Sequence, residues 1–472
     1  MMSNTKRSWV AADHPDASER LAGVAAELTF QDLPQDAVTA AKWGILDTLG
    51  VSLAATGTPS AAQYLTPIQQ YLGLGLSRGD VPAPTLGKRY SVFDAILWLG
   101  ALSHSLDYDD VAGYSHPSAP AVSAALPVAH SLGQVDGKQL ITAVALGQDM
   151  TIRLAQALHR PVSDHGWLTS FPGVIAAAVT TSKLLNLDAR QTRNSLGLAL
   201  HQTSGTLQAL ARPGSAYRAV REGFNARAGA LSAFLAKEGM AGDPESIEGQ
   251  YGYFFQFFGG DYDEEFLGDD RLLGPLTSFK PWPCAYHPQL FLTALAELVR
   301  EGRIEPDLVK KIKITGCSRL LGHQCEPLEA RSAPQQSIDA KVSIPFLIGK
   351  IVRHGTITMQ DFSPEGLQDH PAIEIGRRVE WQLDPGLQRD NNGYGIGVVE
   401  VEHEDGRCVR AEAEYPWGHP SNPLTWDDVV NKFYRCVEVS SAGPGFAAEE
   451  IVSIVENLET VSDVTSLLDR TL

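Results

Sequence analysis

Basic residues are scarce. Lys and Arg number 38 against 56 Asp and Glu in 472 residues, a formal charge of −18 at pH 7. So acidic a chain argues against nucleic acid and anionic bilayers as partners, since both need basic patches. Long apolar runs are missing too: none approaches the roughly eighteen residues that span a bilayer. The stretch Met1–Asp13 is polar and lacks the apolar segment of a secretory signal, so a cytoplasmic location is expected. Cysteine is sparse. Cys284, Cys317, Cys325, Cys408 and Cys436 form an odd, irregular set without C-x-x-C, which reads as free thiols in a reducing compartment. There is no Walker A loop, no G-x-G-x-x-G after a strand, no H-E-x-x-H, no EF-hand and no G-x-S-x-G. Nucleotide, flavin and metal are therefore not implied, and an α/β-hydrolase is disfavoured.

What remains is globular: 43% apolar and 20% charged. Residues 18 to about 265 read as successive helices. Pro34 opens one, with Val38, Ala41, Ile45, Leu46 and Leu49 on one face and Gly57 beyond its end. Asp136-x-x-Gln139 and Asp188-x-x-Gln191 predict N-caps with a return contact. Near Asp261 the texture changes. Pro281 and Pro283 impose an extended or turning segment from Ser278 to Cys284. Val309–Ile314, Val379–Leu383 and Gly397–Val401 alternate as half-buried strands, and Ile344–Ile351 reads as a helix before Gly355. Helix returns at Thr425, whose spacing to Asp428 again predicts a cap.

The densest chemistry lies in His104–His116. Asp107, Asp109, Asp110 and two imidazoles fall within thirteen positions, where an Ala/Leu helix gives way to a His-Pro turn. A histidine held by a carboxylate serves as general acid or base near neutral pH, although acidic runs also suit a solvated surface. Arg218 and Arg221, three apart at a helix start, suit a carboxylate clamp. Lys280 and His287 flank a backbone pinned by proline and aromatic residues. His165 precedes an Ala-rich helix, with Thr169 and Ser170 available as N-caps.

Taken in order, these segments resemble the MmgE/PrpD family. The likeness is carried by Leu46-Asp47-Thr48-Leu49-Gly50, by His104-x-x-Asp107-Tyr108-Asp109-Asp110 with His116-Pro117, and by Lys183-Leu184-Leu185-x-Leu187-Asp188. It continues through Arg227-Ala228-Gly229, Phe279-Lys280-Pro281-Trp282-Pro283-Cys284, Asp339-Ala340-Lys341-x-Ser343-Ile344-Pro345-Phe346 and Gly418-His419-Pro420. The resemblance implies a mainly α fold with an α+β part. Both chain ends build a large all-helical domain (1–268 and 416–472), and a smaller α/β lid domain (269–415) is inserted. It also implies a homodimer, no cofactor, and a small di- or tricarboxylate substrate.

Carried over by position, the expected catalytic set is Asp107, His116, Lys280 and Arg218, with His104, Arg221, His165 and His287 as substrate-binding candidates and no metal ligands. The chain departs from the decarboxylase-like pattern at Arg218 (lysine there), Trp167 (histidine), Val111 (threonine) and Phe346 (tyrosine), and from Cys284 to His287 it is shorter. The expected activity is a cofactor-free lyase that removes a proton α to a carboxylate with loss of a β-substituent, His116, oriented by Asp107, serving as base or acid. Epimerisation, decarboxylation, or binding without turnover are the alternatives.

Overall fold

Local capping chemistry sets the helix boundaries. The computed structural model describes residues 16–211, 215–318, 320–389, 395–443 and 445–472, so Met1–Asp13 lies outside the described residues. Helix α1 (Gln35–Gly57) starts after Pro34 and includes Gly57 as its last residue. Its Ile45, Leu46 and Leu49 are buried, each contributing about 1.5–3 kcal/mol. A short antiparallel ribbon follows, β1 (Val81–Pro82) with β2 (Arg89–Tyr90). Helix α2 (Val92–His104) is capped by Ser91, which accepts from the Asp94 N–H. Helices α3 (Ser118–Leu132), α4 (Gly137–Gln156), α5 (Gly173–Leu184), α6 (Ala189–Leu200) and α7 (Tyr217–Lys237) complete this half. Both expected caps form: Asp136 with Gln139 opens α4, and Asp188 with Gln191 opens α6. Thr169 and Ser170 do not cap α5, which begins at Gly173 after Pro172.

Helix α7 packs on α2 and α5. The α2 crossing is close because Gly100 and Gly223 face one another: a Cβ on Gly223 would strike the Leu97 carbonyl, and one on Gly100 the Gly223 backbone. This approach brings the first turns of α7, with Arg218, Arg221 and Glu222, beside the C-terminal end of α2 and His104.

A second apolar core belongs to residues 282–413. Helix α8 (Tyr286–Arg300), strand β3 (Val309–Gly316), helix α9 (Ile344–His354), and strands β4 (Val379–Leu383), β5 (Gly397–His403) and β6 (Cys408–Ala413) build it. The sheet order is β4-β3-β5-β6. The β3–β4 pair is parallel and the others antiparallel, with Ile312 opposite Val379 and Ile314 opposite Val399. Ile312 and Ile314 point into the core while Lys311 and Lys313 stay partly exposed, the alternation expected of a one-sided sheet. Helix α8 covers β5 and β6.

The chain then returns. Thr425 and Asp428 form a capping box at α10 (Trp426–Glu438), which packs on α1, and α11 (Ala448–Glu456) follows. Leu424, Val429, Phe433, Ile451 and Val455 share one core with Ile45, Leu49 and Leu140. The two cores meet along residues 278–285. Ser278 exchanges backbone hydrogen bonds with Val111 at 2.9 and 2.7 Å, and the Phe279 N–H donates to the Gly418 carbonyl at 3.0 Å. Gly418 has φ +95°, and a Cβ there would meet the Phe279 carbonyl, so only glycine fits this crossing.

Candidate active site

Helix α2 ends at His104, and the chain turns sharply before α3. The turn depends on Asp107, a non-glycine residue with φ +53°. Such a left-handed conformation costs of order 1–3 kcal/mol and persists only where surroundings over-determine it. Here they do. The Asp107 N–H donates to the His104 carbonyl at 2.9 Å. The Lys280 ammonium donates to both the Asp107 carbonyl (2.9 Å) and its Oδ1 (2.8 Å). The Arg218 guanidinium stands 3.6 Å from Oδ2. Burial alone would raise the Asp107 pKa, but Lys280 and then Arg218 hold it well below the usual carboxylate range. Reciprocally, burial lowers the Lys280 ammonium pKa and Asp107 more than restores it.

Asp109, two residues on, faces the other way and orients the histidines. Its carboxylate accepts from His104 Nδ1 at 2.9 Å and from His116 Nδ1 at 3.0 Å. His116 Nδ1 also lies 3.0 Å from the Asp110 carbonyl. Two acceptors at one nitrogen fix the tautomer: Nδ1 carries the hydrogen and Nε2 is the basic nitrogen. The two rings meet edge to face at 4.6 Å. Burial, then the Arg221 charge, push the His104 pKa down to about 3 against the pull of Asp109, so His104 is a neutral donor. His104, Asp109 and His116 also form the described group whose donor atoms converge enough to hold a cation, all within 4.8 Å. Their Nδ1···Oδ separations are those of ring N–H groups donated to a carboxylate.

Side-chain exposure sorts the roles. Arg218 is 29% exposed, Asp107 16% and His116 10%, whereas Lys280, His104, Arg221, Asp109 and Glu222 are all at 4% or less. The first three reach the surface; the rest lie beneath it. Arg221 donates to Thr169 Oγ1 (3.1 Å) and to the Arg218 carbonyl (3.2 Å), and stands 3.4 Å from Glu222 Oε1.

The sequence-predicted residues do not all converge. Asp107, His116, Lys280, Arg218, His104 and Arg221 come together. His165 sits apart, its ring edge-on to Phe258 at 5.1 Å, and neighbouring Trp167 packs on Phe171 and Phe257. His287 contacts Gln324 and lines a separate cleft of about 280 Å³ with Gly113, Ser278 and His419. Phe346 lies wholly in the α/β core.

Four further groups were given no role from sequence. Asp109 is one. Lys341 donates to the Leu106 carbonyl, and Lys432 to the Tyr108 carbonyl at 2.8 Å. Glu222 lies behind the histidine pair. Only burial distinguishes Lys341, Lys432 and Glu222 from surface charges. In the short motif Asp339-Ala340-Lys341, the lysine itself was the available signal.

Burial raises the Glu222 pKa to about 7 against the charges of Arg221 and His116. Burial and Asp47 raise Asp110 to about 7 against its hydrogen bonds from Ser118. Unfolded Glu and Asp titrate near 4. The stability these two raised groups contribute is therefore present below about pH 4 and is lost as pH rises through about 7. Asp107 and Asp109, with depressed values, act oppositely: their contribution is present above about pH 4 and lost as pH falls further. Thermal midpoints are expected to decline between pH 5 and 8, and Glu222→Gln to flatten that decline. A Glu222→Gln profile parallel to that of the unmodified protein would refute the expectation.

Comparison with known proteins places these residues in a wider set. The MmgE/PrpD N-terminal domain model matches residues 19–265, and the MmgE/PrpD C-terminal domain model matches residues 282–460. Cis-aconitate decarboxylase of Aspergillus terreus (strain NIH 2624 / FGSC A1156) is 23% identical over 470 residues, covering 94% of each chain. Cis-aconitate decarboxylase of Mus musculus is 24% identical over 486 residues, 96% of this chain and 93% of the relative. The 2-methylcitrate dehydratase of Escherichia coli (strain K12) is 24% identical over 424 residues, 80% of this chain and 81% of the relative.

Proposed function

The chain belongs to the MmgE/PrpD family, and from that premise we propose that it is a cofactor-free lyase acting on a small di- or tricarboxylate. The observation that carries this reading is one wall bearing an oriented imidazole and a guanidinium, with Asp107 between them. His116 Nε2 takes the proton from carbon α to a substrate carboxylate. Asp109 stabilises the imidazolium that forms, as it already fixes the ring. Arg218, held only loosely by Asp107 at 3.6 Å, binds a substrate carboxylate. Lys280 behind Asp107 keeps the wall from being anionic, and His104 and Arg221 hold the geometry. The C–H electron pair becomes the new C=C bond and the β-substituent departs. For hydroxide, the proton on His116 is the one needed to release water, so the step balances on a single imidazole.

The residues of 269–415 serve as lid over the helical part formed by 1–268 and 416–472. Assembly is as a homodimer: α7 exposes Phe224, Leu231 and Leu235 on one face, at 45%, 37% and 36%, a spacing that suits a second helix. The free thiols of Cys284, Cys325, Cys408 and Cys436 fit a reducing cytoplasm, and cell fractionation tests that location.

The experiment is incubation with 2-methylcitrate, citrate, cis-aconitate and iminodisuccinate, read by mass, chirality and carbon dioxide release. Loss of water from a hydroxy acid supports the main reading. Carbon dioxide release moves the assignment to decarboxylation, and deuterium exchange without elimination moves it to epimerisation. No change in any of the four removes the lyase assignment for these substrates. Light scattering on the same preparations reports the mass, and a particle of 50.9 kDa removes the dimer.

A further inference from the structure

Three consecutive carbonyls in the turn after α2 each accept from a buried lysine. Leu106 accepts from Lys341, Asp107 from Lys280 at 2.9 Å, and Tyr108 from Lys432 at 2.8 Å. The lysines are 2%, 1% and 4% exposed and come from three separate parts of the chain. Two of them have carboxylate partners: Lys280 pairs with Asp107, and Lys432 with Asp47 at 2.5 Å. Lys432 also sits 3.9 Å from the centroid of the Tyr108 ring. Lys341 differs. No carboxylate among the described residues forms an ion pair with it; it donates to the Leu106 carbonyl and sits 5.5 Å from the centroid of the Phe362 ring. A buried ammonium without a counter-charge is expensive, and charged groups are normally paired when taken out of water.

We propose that Lys341 is a positioning residue whose counter-charge is supplied by the substrate rather than by the protein. Its ammonium fixes the Leu106 carbonyl and so helps hold the strained Asp107, and an incoming carboxylate completes its electrostatic surroundings. Arg218, Lys280 and Lys341 stand around one partly buried carboxylate, Asp107. Even with the buried Asp109 included, the site keeps a positive excess that an anion neutralises. This inference rests on the polycarboxylate reading and deepens it by adding a third cation from the α/β unit.

The consequence is a proton taken up on binding. The charged and titratable groups facing Lys341 are Asp107 and Arg218 from the helical part, and Lys280 and Cys284 from the crossing segment. Burial lowers its pKa, Asp107 opposes, Lys280 and Arg218 lower it further, and the result is about 8. At pH 8 the free protein therefore holds Lys341 about half protonated, and a nearby anion favours the charged form.

The test is calorimetric titration with tricarballylate, a tricarboxylate without a leaving hydroxyl, at pH 8 in buffers of different ionisation enthalpy. The unmodified protein is expected to take up about half a proton more per ligand than Lys341→Arg, whose side chain stays charged. Glu222 and Asp110 contribute alike to both proteins and cancel. At pH 7, Lys341→Met is expected to bind at least tenfold more weakly than the unmodified protein, and Lys341→Arg to recover part of that loss. Equal uptake in the two proteins, tight binding by Lys341→Met, or no recovery in Lys341→Arg overturns the role of Lys341 and leaves the polycarboxylate reading standing. Failure of the unmodified protein to bind tricarballylate overturns both.

Discussion

His116→Ala is expected to lower kcat by about 10²–10⁴ on whichever polycarboxylate the protein turns over, the range for loss of a positioned general base. The expectation follows from three contacts. Asp109 and the Asp110 carbonyl fix the ring through Nδ1, His104 packs edge-on against it, and the basic Nε2 is thereby set in orientation before substrate arrives. KM is expected to move only severalfold, because Arg218 and the cations behind it are untouched. Steady-state rates on protein with an unaltered thermal midpoint check this. A variant within threefold of the unmodified kcat would remove His116 from the mechanism.

Lys280→Met is the second large effect, and it acts on two quantities. It removes the ammonium that neutralises Asp107, and loss of one preorganised electrostatic group costs about 10²–10³ in kcat. It also leaves Asp107, in a strained turn, with only the longer Arg218 contact at 3.6 Å. Breaking a buried pair destabilises by about 3–5 kcal/mol, and the 16% exposure of Asp107 sets the expectation at the lower end. Adding Asp107→Asn to Lys280→Met removes the stranded charge, so the double variant is expected to regain stability without regaining activity. Urea midpoints and initial rates on the singles and the double give the coupling directly. A double variant no more stable than Lys280→Met would show that the pair is not what holds this turn.

How much of this was legible in the chain depended on range. Caps were readable because donor and acceptor lie three residues apart: Asp136 with Gln139, Asp188 with Gln191 and Thr425 with Asp428 all formed as spaced. Strands β3, β4 and β5 were readable from alternation. Strand β6 was not, since Cys408-Val-Arg-Ala-Glu-Ala is a polar edge whose pairing partner decides its state. The ribbon of β1 and β2 was equally silent, being two residues per strand. Residue type and spacing brought Asp107, His116, Arg218 and Lys280 to notice, the family likeness gave them roles, and the structure gathers them.

The division of labour between Asp107 and Asp109 was not legible. Three carboxylates within four positions look interchangeable until one residue adopts φ +53° and sends its neighbours to opposite sides. His116 was expected to lean on Asp107; Asp109 holds it instead. Glu222 and Lys341 were hidden for another reason. On paper each is one more charge in a polar chain, and only the packing of α7 on α2, or of the α/β unit on the turn, takes them out of water.

The lysine pairing after α2 also has a consequence in time. Tyr108 waits for a partner 324 positions downstream. At roughly 5–20 residues per second of translation that is a delay of about 16–65 s. Asp47, the carboxylate partner of the same lysine, waits at least as long for its ammonium. The turn is therefore not fully held until Lys432 has been made and its helix has docked.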